Sequence, residues 1–209
     1  MRGRAGLRGR DGGAPGRHGA VLRPSRLVAE AAELERRFLP RARDIGDPQV
    51  VSNAFAIAAF IEQAGGDLDA ALGLVAELEQ ATRDGPSCYR ADPLPIVSRI
   101  CLAAGTPELA EPFLAGADAP AARYQHCRAT AGAVLAEARG DLDAAAGRYD
   151  QARTGWRGFG VVLEHAQALL GLGRCATRLG RPSARDHLDQ AAELFGQLRA
   201  PGLLAETGR

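Results

Sequence analysis

Four histidines and four cysteines are the residues of this 209-residue chain whose chemistry best suits holding a metal or attacking a substrate. His126 adjoins Cys127, and Glu164 adjoins His165. Neighbouring positions on a helix point apart, however, whereas a metal needs ligands that converge. His18 and His187 stand alone, and neither an HExxH nor a CxxC spacing occurs, so no metal and no cofactor is expected. Cys88 sits in the stretch GPSCYR, read as a loop, but a nucleophile needs a base within reach and none can be named. The acid pairs Asp67/Asp69 and Asp141/Asp143 open predicted helices, where carboxylates suit the positive end of the helix dipole. Gly171-Leu172-Gly173 lacks the third glycine and the preceding strand of a nucleotide-binding loop, which makes it a packing feature. Trp156, near RGFG, reads as an aromatic packed within a hairpin. All 26 basic residues are arginine, so phosphate-loop and Schiff-base chemistry that needs an amine is excluded. These residues together predict a protein that is not an enzyme.

The net charge of +1 hides an asymmetry. Residues 1–26 carry seven arginines against Asp11, a balance of +6, leaving 19 arginines against 24 acids in residues 27–209. The first stretch, rich in Gly, Arg and Pro, has almost nothing to bury and is expected to be disordered. Nucleic-acid binding is expected only through this tail, if at all, since it lacks the aromatic residues that stack on bases. The cysteines lie far apart and no signal peptide precedes them, the pattern of reduced thiols. The longest apolar run, Ala54 to Ile61, is far short of a bilayer span. A soluble, cytoplasmic protein is expected, and the Ala-, Gly- and Arg-rich, lysine-free composition suggests a bacterial source.

From residue 27 onward apolar residues recur at three and four places, as in Leu27, Ala31, Leu34 and Phe38, the helical period. Nothing reads as a strand. Helices are predicted near 27–38, 48–64, 68–83, 93–104, 107–115, 120–138, 142–156, 161–179 and 183–199. Asp47-Pro48, Asp92-Pro93 and Thr106-Pro107 mark starts, the first residue capping and proline taking the first helical position.

An internal repeat organises these helices. GDLDAA at 66–71 returns unchanged at 140–145, and the turn glycines Gly66, Gly105, Gly140 and Gly180 are spaced by 39, 35 and 40 residues. That is the range of two-helix solenoid repeats such as the tetratricopeptide class. Seven residues before each glycine stand Ala59, Ser98, Ala133 and Gly173, all small. On the second helix Ala71, Ala110, Ala145 and Ala184 align as the next small position, with Val75, Leu114, Tyr149 and Leu188 as the larger side chain beneath. The pattern predicts an all-α fold: an α-solenoid of antiparallel helical hairpins over 27–209, with four repeats and a partial fifth in front.

RARDIGDPQVVSNAFAIAAFIEQAGGDLDAA at 41–71 and EHAQALLGLGRCATRLGRPSARDHLDQAAELFGQLRAPGLLAE at 164–206 carry a family resemblance. They resemble the C-terminal tetratricopeptide region of large bacterial ATPase signalling proteins, those named adenylate or guanylate cyclases or LuxR-type regulators. The resemblance spans roughly residues 28–206. It implies a repeat array that senses or holds a partner while chemistry resides in upstream domains. No P-loop and no cyclase domain occurs in this sequence, so the enzyme roles do not carry over.

In a tetratricopeptide-like array the first helix of each hairpin lines the concave face. Counting from the turn glycines places Asn53, Phe60 and Gln63 there, then Arg99 and Leu102, Thr130 and Glu137, and Gln167, Arg174 and Thr177. The expected groove is mixed apolar and polar, fit for a peptide, with Arg99 and Arg174 able to fix a carboxylate. A protein or peptide partner is expected. The alternatives are a self-associating structural module, with Leu198, Leu203 and Leu204 capping the array or pairing with another copy, and a small-molecule sensor.

Overall fold

The computed structural model describes residues 26–118 and 120–208. Of the basic tail, residues 1–25 lie outside the described residues, as does His18. The chain runs α1 (Arg26–Ile45), α2 (Pro48–Gly65), α3 (Leu68–Thr82), α4 (Cys88–Ala91), α5 (Leu94–Ala104), a 3-10 turn (Pro107–Ala110) and α6 (Glu111–Gly116). It continues with α7 (Ala122–Ala138), α8 (Leu142–Phe159), α9 (Val162–Arg178), α10 (Ala184–Gln197) and α11 (Pro201–Ala205). Among the described residues there is no strand, and no helix is long and apolar enough to cross a membrane. The all-helical expectation holds.

The four turn glycines do the same thing in the same way. Gly66, Gly105, Gly140 and Gly180 have φ of 92°, 74°, 80° and 66°, a left-handed conformation that a Cβ would strain. Each glycine N–H donates to the carbonyl three residues back, on Gln63, Leu102, Glu137 and Thr177. The next N–H donates five residues back, to Glu62, Cys101, Ala136 and Ala176, all eight bonds being 2.8–3.1 Å. This double bond satisfies carbonyls that a helix end otherwise leaves unpaired.

Helix starts follow the sequence less evenly. Asp47 accepts from the N–H groups of Gln49 and Val50, Asp67 from Ala70 and Asp141 from Ala144. Asp92 does not cap α5. The four-residue α4, unexpected from the sequence, runs into Asp92 in helical conformation, and the Asp92 carboxylate pairs with Arg123 instead. Thr106 likewise makes no side-chain cap, and the helix expected over 107–115 begins as a 3-10 turn before the short α6. Pro112, lacking an N–H, falls within that stretch. Conversely α1 continues through Pro40, beyond the predicted end, because Leu39 and Ala42 on its far side are buried.

Consecutive helices pack on one another, α1 on α2, α2 on α3, and α7, α8, α9 and α10 in series, while α5 packs on α7 past the short α6. Ala59, Ser98, Ala133 and Gly173 are all buried, as are Ala71, Ala110 and Ala145, whereas Ala184 is half-buried. A Cβ built on Gly173 would lie 2.6 Å from Leu188 Cδ2, so the smallest residue of the fourth hairpin faces the large residue aligned beneath it. One core cluster runs from Leu39 to Cys175, and a second gathers Ala166, Leu169, Leu170, Ala191 and Phe195, with Leu203 and Leu204 of α11 packed against it. Two helices are buried on every side for more than two turns, α7 over Thr130–Glu137 and α9 over Ala166–Gly173.

Gly173→Leu is therefore expected to overpack the α9–α10 crossing and lower stability by about 1–3 kcal/mol, measured by urea denaturation. An unchanged midpoint would contradict the close approach.

Candidate functional site

Arg99 and Arg174 stand at one register, six residues before the turn glycines Gly105 and Gly180, and each holds a carboxylate. The carboxylates belong to the chain itself. Arg99, on α5, donates from both terminal nitrogens to Glu164 on the first turn of α9, at 2.8 Å each. Arg174, on α9, donates from Nε and Nη2 to Glu137 at the end of α7, at 2.9 and 2.8 Å. The buried Tyr149 hydroxyl, from α8, donates to the same Glu137 at 2.7 Å. Such fork-on-carboxylate pairs are the strong members of their class.

The electrostatics follow from burial and pairing. Glu137 is only 7% exposed, and loss of solvent alone would raise its carboxyl. The hydrogen bonds and charge of Arg174, with the Tyr149 hydroxyl, outweigh that and hold it below the ordinary range. Burial and then the Glu137 charge push the Tyr149 phenol well up. Burial opposes the charge on Arg99 and on Arg174, yet their carboxylate partners prevail and raise both. Tyr149 and Glu206 act on both guanidinium groups, so residues distant in sequence share one charged cluster.

The ten candidate groove residues thus separate into different environments. Asn53 and Thr177 are exposed, each bonding a carbonyl one turn back, Gln49 for Asn53 and Gly173 for Thr177. Phe60 and Gln63 are half-buried, and Leu102 packs against the main core. Thr130 is 1% exposed, its hydroxyl accepting from Trp156 Nε1 at 2.8 Å, and Gln167 is also buried. Thr130, Glu137 and Gln167 present almost no surface to a partner, a correction to the groove as counted from the turns. The count locates a position along a helix, but in this fold other elements close over α7 and α9.

An open concavity remains nearer α2. A pocket of about 200 Å³ lies between α2 and α5, lined by Asn53, Ala56, Ile57, Pro93 and Ile96, with Asp92 and Arg123 paired at its edge. Ile57 is 51% exposed there. A second pocket, of about 440 Å³, lies between α3 and the 3-10 turn with α6, lined by Glu79, Gln80, Arg83, Glu108 and Leu109. Its Glu79 carboxyl is held low, first by the Arg83 hydrogen bond, and Arg90 pairs with it as well.

The other reactive types are engaged in packing. His126 meets Trp156 and Phe159 edge-on, at 5.4 and 6.0 Å between ring centres. His165 Nδ1 lies 2.9 Å from the Arg153 carbonyl. Burial pushes the thiols of Cys101 and Cys175 up to about 11 and that of Cys127 up to about 12, far from a reactive thiolate. Cys88 is half-buried and begins α4 rather than lying in a loop. No group of three His, Cys, Asp or Glu residues placed to hold a metal ion occurs among the described residues. Gly171 and Gly173 fit against Tyr149 and Leu188, the packing role expected of them. Residues that the sequence alone did not single out are Tyr149 as a partner of Glu137, Glu164 as a partner of Arg99, and Ile57, Ile96, Arg123 and Glu206. Compared with models of known protein families and with curated proteins, the sequence matches none.

Removing a buried partner leaves a charge uncompensated, at about 3–5 kcal/mol; because Arg174 keeps some solvent contact, Glu137→Ala is expected at the lower end, about 3 kcal/mol, by urea denaturation. The pH dependence has a definite sign. A carboxyl held below its unfolded value stabilises fully above about pH 4.5 and loses that contribution as pH falls through its folded value. Glu137→Gln should therefore show a flatter stability profile on the acid side than the parent chain.

Proposed function

We propose that this chain is a non-enzymatic protein–protein interaction scaffold, a tetratricopeptide-like α-solenoid that holds a peptide segment of a partner on the inner side of its first helices. The four identical glycine turns and the small residues buried seven places before them support the repeat reading. The resemblance of 41–71 and 164–206 to the repeat regions of bacterial ATPase signalling proteins supports a role in a signalling or transcription regulator. The titratable groups lend the reading further support: the acids and arginines of the inner face neutralise one another, and the cysteine thiols at 101, 127 and 175 are held in their protonated form.

The observation that carries the reading is the pocket between α2 and α5. An apolar floor of Ala56, Ile57 and Ile96, edged by Asn53 and by the Asp92–Arg123 pair, is what an apolar anchor with a polar rim requires. Ile57 is a large side chain left half in water although its neighbours along α2, Ala56 and Ala58, are buried.

Arg99 and Arg174 are poor positions for a test, because reversing either charge breaks an internal pair. Ile57→Lys alters the exposed floor with little expected change in melting temperature. A partner crosslinked by the parent chain should be lost by Ile57→Lys and kept by Leu109→Lys, a control at the exposed leucine of the other pocket. Capture that survives Ile57→Lys, or is lost equally in both variants, would remove the α2–α5 surface as the binding site.

A further inference from the structure

Beyond Leu198 the chain turns once more, in the manner of the glycine turns but without glycine. Arg199 takes φ of 54°, its N–H bonds the Gly196 carbonyl, and the Ala200 N–H bonds that of Phe195. The turn delivers α11, a five-residue helix with no side-chain cap and no fully buried residue of its own. Leu203 and Leu204 pack against the cluster of Ala166, Leu169, Leu170, Ala191 and Phe195. Just past the helix Thr207 is 3% exposed, its hydroxyl donating to the Leu204 carbonyl at 2.7 Å. Between the leucines and the buried threonine stands Glu206, still open to solvent.

Glu206 lies in the field of both Arg174, on α9, and Arg99, on α5. Those guanidinium groups lie on two different hairpins, while α11 itself packs on α10 and on the apolar cluster of α9 and α10. Partial loss of solvent raises the Glu206 carboxyl, and Arg174 and then Arg99 oppose that rise. Glu206 makes no hydrogen bond to either arginine, whose forks are engaged with Glu137 and Glu164. Residues 201–207 are held by Leu203 and Leu204 on the apolar cluster, by the buried Thr207 and by a charge attraction that forms no hydrogen bond. A short helix held by so few contacts belongs to the least stable part of a fold, the part that opens first.

We propose that the face beneath residues 201–207, made by the apolar cluster of α9 and α10 and lying in the field of Arg174 and Arg99, is a docking surface for a partner segment of the pattern Leu-Leu-x-Glu, and that residues 201–207 occupy it until that partner displaces them. The occupant's chemistry is written in the segment already seated there: two adjacent leucines on an apolar cluster, and a carboxylate two residues on, in the field of Arg174 and Arg99. An occupied site lowers the apparent affinity of an incoming ligand by the fraction of time the site is open. The segment is thereby an internal threshold for binding. This inference rests on the interaction-scaffold reading but uses a surface distinct from the α2–α5 pocket.

The test uses full chains and a fluorescein-labelled peptide, APGLLAETG, followed by anisotropy. Leu203→Ser with Leu204→Ser frees the surface, and this variant should bind the peptide at least 10-fold more tightly than the parent chain does. Replacing the peptide's glutamate by lysine should weaken binding at least 10-fold. If a variant with parental helicity and melting temperature binds no peptide, or binds the lysine peptide equally well, the proposal fails. Should the double substitution unfold the chain, Glu206→Lys retains both leucines: amide exchange over 201–207 should then quicken at least 10-fold, and exchange at the parental rate overturns the proposal. A mass that doubles with concentration in place of peptide capture would overturn it in favour of a segment exchanged between two copies. Peptide binding lost while capture through Ile57 persists defeats this inference alone; loss of both defeats the scaffold reading as well.

Discussion

At Gly66, Gly105, Gly140 and Gly180 the backbone enters the left-handed region, and on that conformation the hairpins depend. With a Cβ the same turn is strained by on the order of 1–2 kcal/mol per residue. Without it, two N–H groups swing back to satisfy the carbonyls of the helix just ended, and the chain reverses within two or three residues. So short a reversal lets the next helix lie against the last, as α3 does on α2 and α8 on α7. How close they lie is decided seven residues earlier, where Ala59, Ser98, Ala133 and Gly173 offer almost no side chain. Backbone conformation at the turn and side-chain size at the crossing are two halves of one constraint.

Close approach determines the electrostatics. Helices that crowd at Ala133 and Gly173 leave α7 and α9 with neighbours on all sides, so polar side chains on them must find partners inside the protein. Thr130 accepts from Trp156, and Glu137 is shared by Arg174 and Tyr149. Arg99 reaches across to Glu164 and ties α5 to α9. None of these pairs follows the helix repeat of three or four residues. They join helices that pack side by side, α7 with α8 and α7 with α9, and of these pairs only Arg99–Glu164 links the second hairpin to the fourth.

Legibility from sequence divides along the same line. Whatever is decided within about six residues was readable: the glycine turns, the caps Asp47, Asp67 and Asp141, the small residues and the helical period. The second hairpin departs from the pattern because Asp92 is absorbed into a helical run and Pro112 interrupts the hydrogen bonding that a full second helix needs. Charge pairing was not readable: Arg99 and Arg174 were expected to face a partner's carboxylate, and Glu164 lies 65 residues from Arg99 with no local signal to link them. Thr130 and Gln167 were placed on an open face because counting from a turn gives an azimuth on one helix and says nothing of what stands opposite. Glu206 was invisible for a related reason: a carboxylate near the end of an unremarkable apolar segment acquires meaning only when that segment folds back.

Rigid and loosely held parts of this molecule are thus assigned by the same contacts. The inner charges of α5, α7 and α9 are fixed by forked hydrogen bonds among themselves, which preorganises the surface and leaves it little freedom to rearrange around a ligand. Were the proposed partner to dock there, such a surface would discriminate by fit, and any adjustment would come from what lies on top of it. In the proposed displacement of residues 201–207, Leu203 and Leu204 would leave the Phe195 cluster without breaking a buried ion pair. Separating a rigid charged floor from a lightly attached apolar cover lets the cover exchange while Glu137 and Glu164 stay paired beneath it.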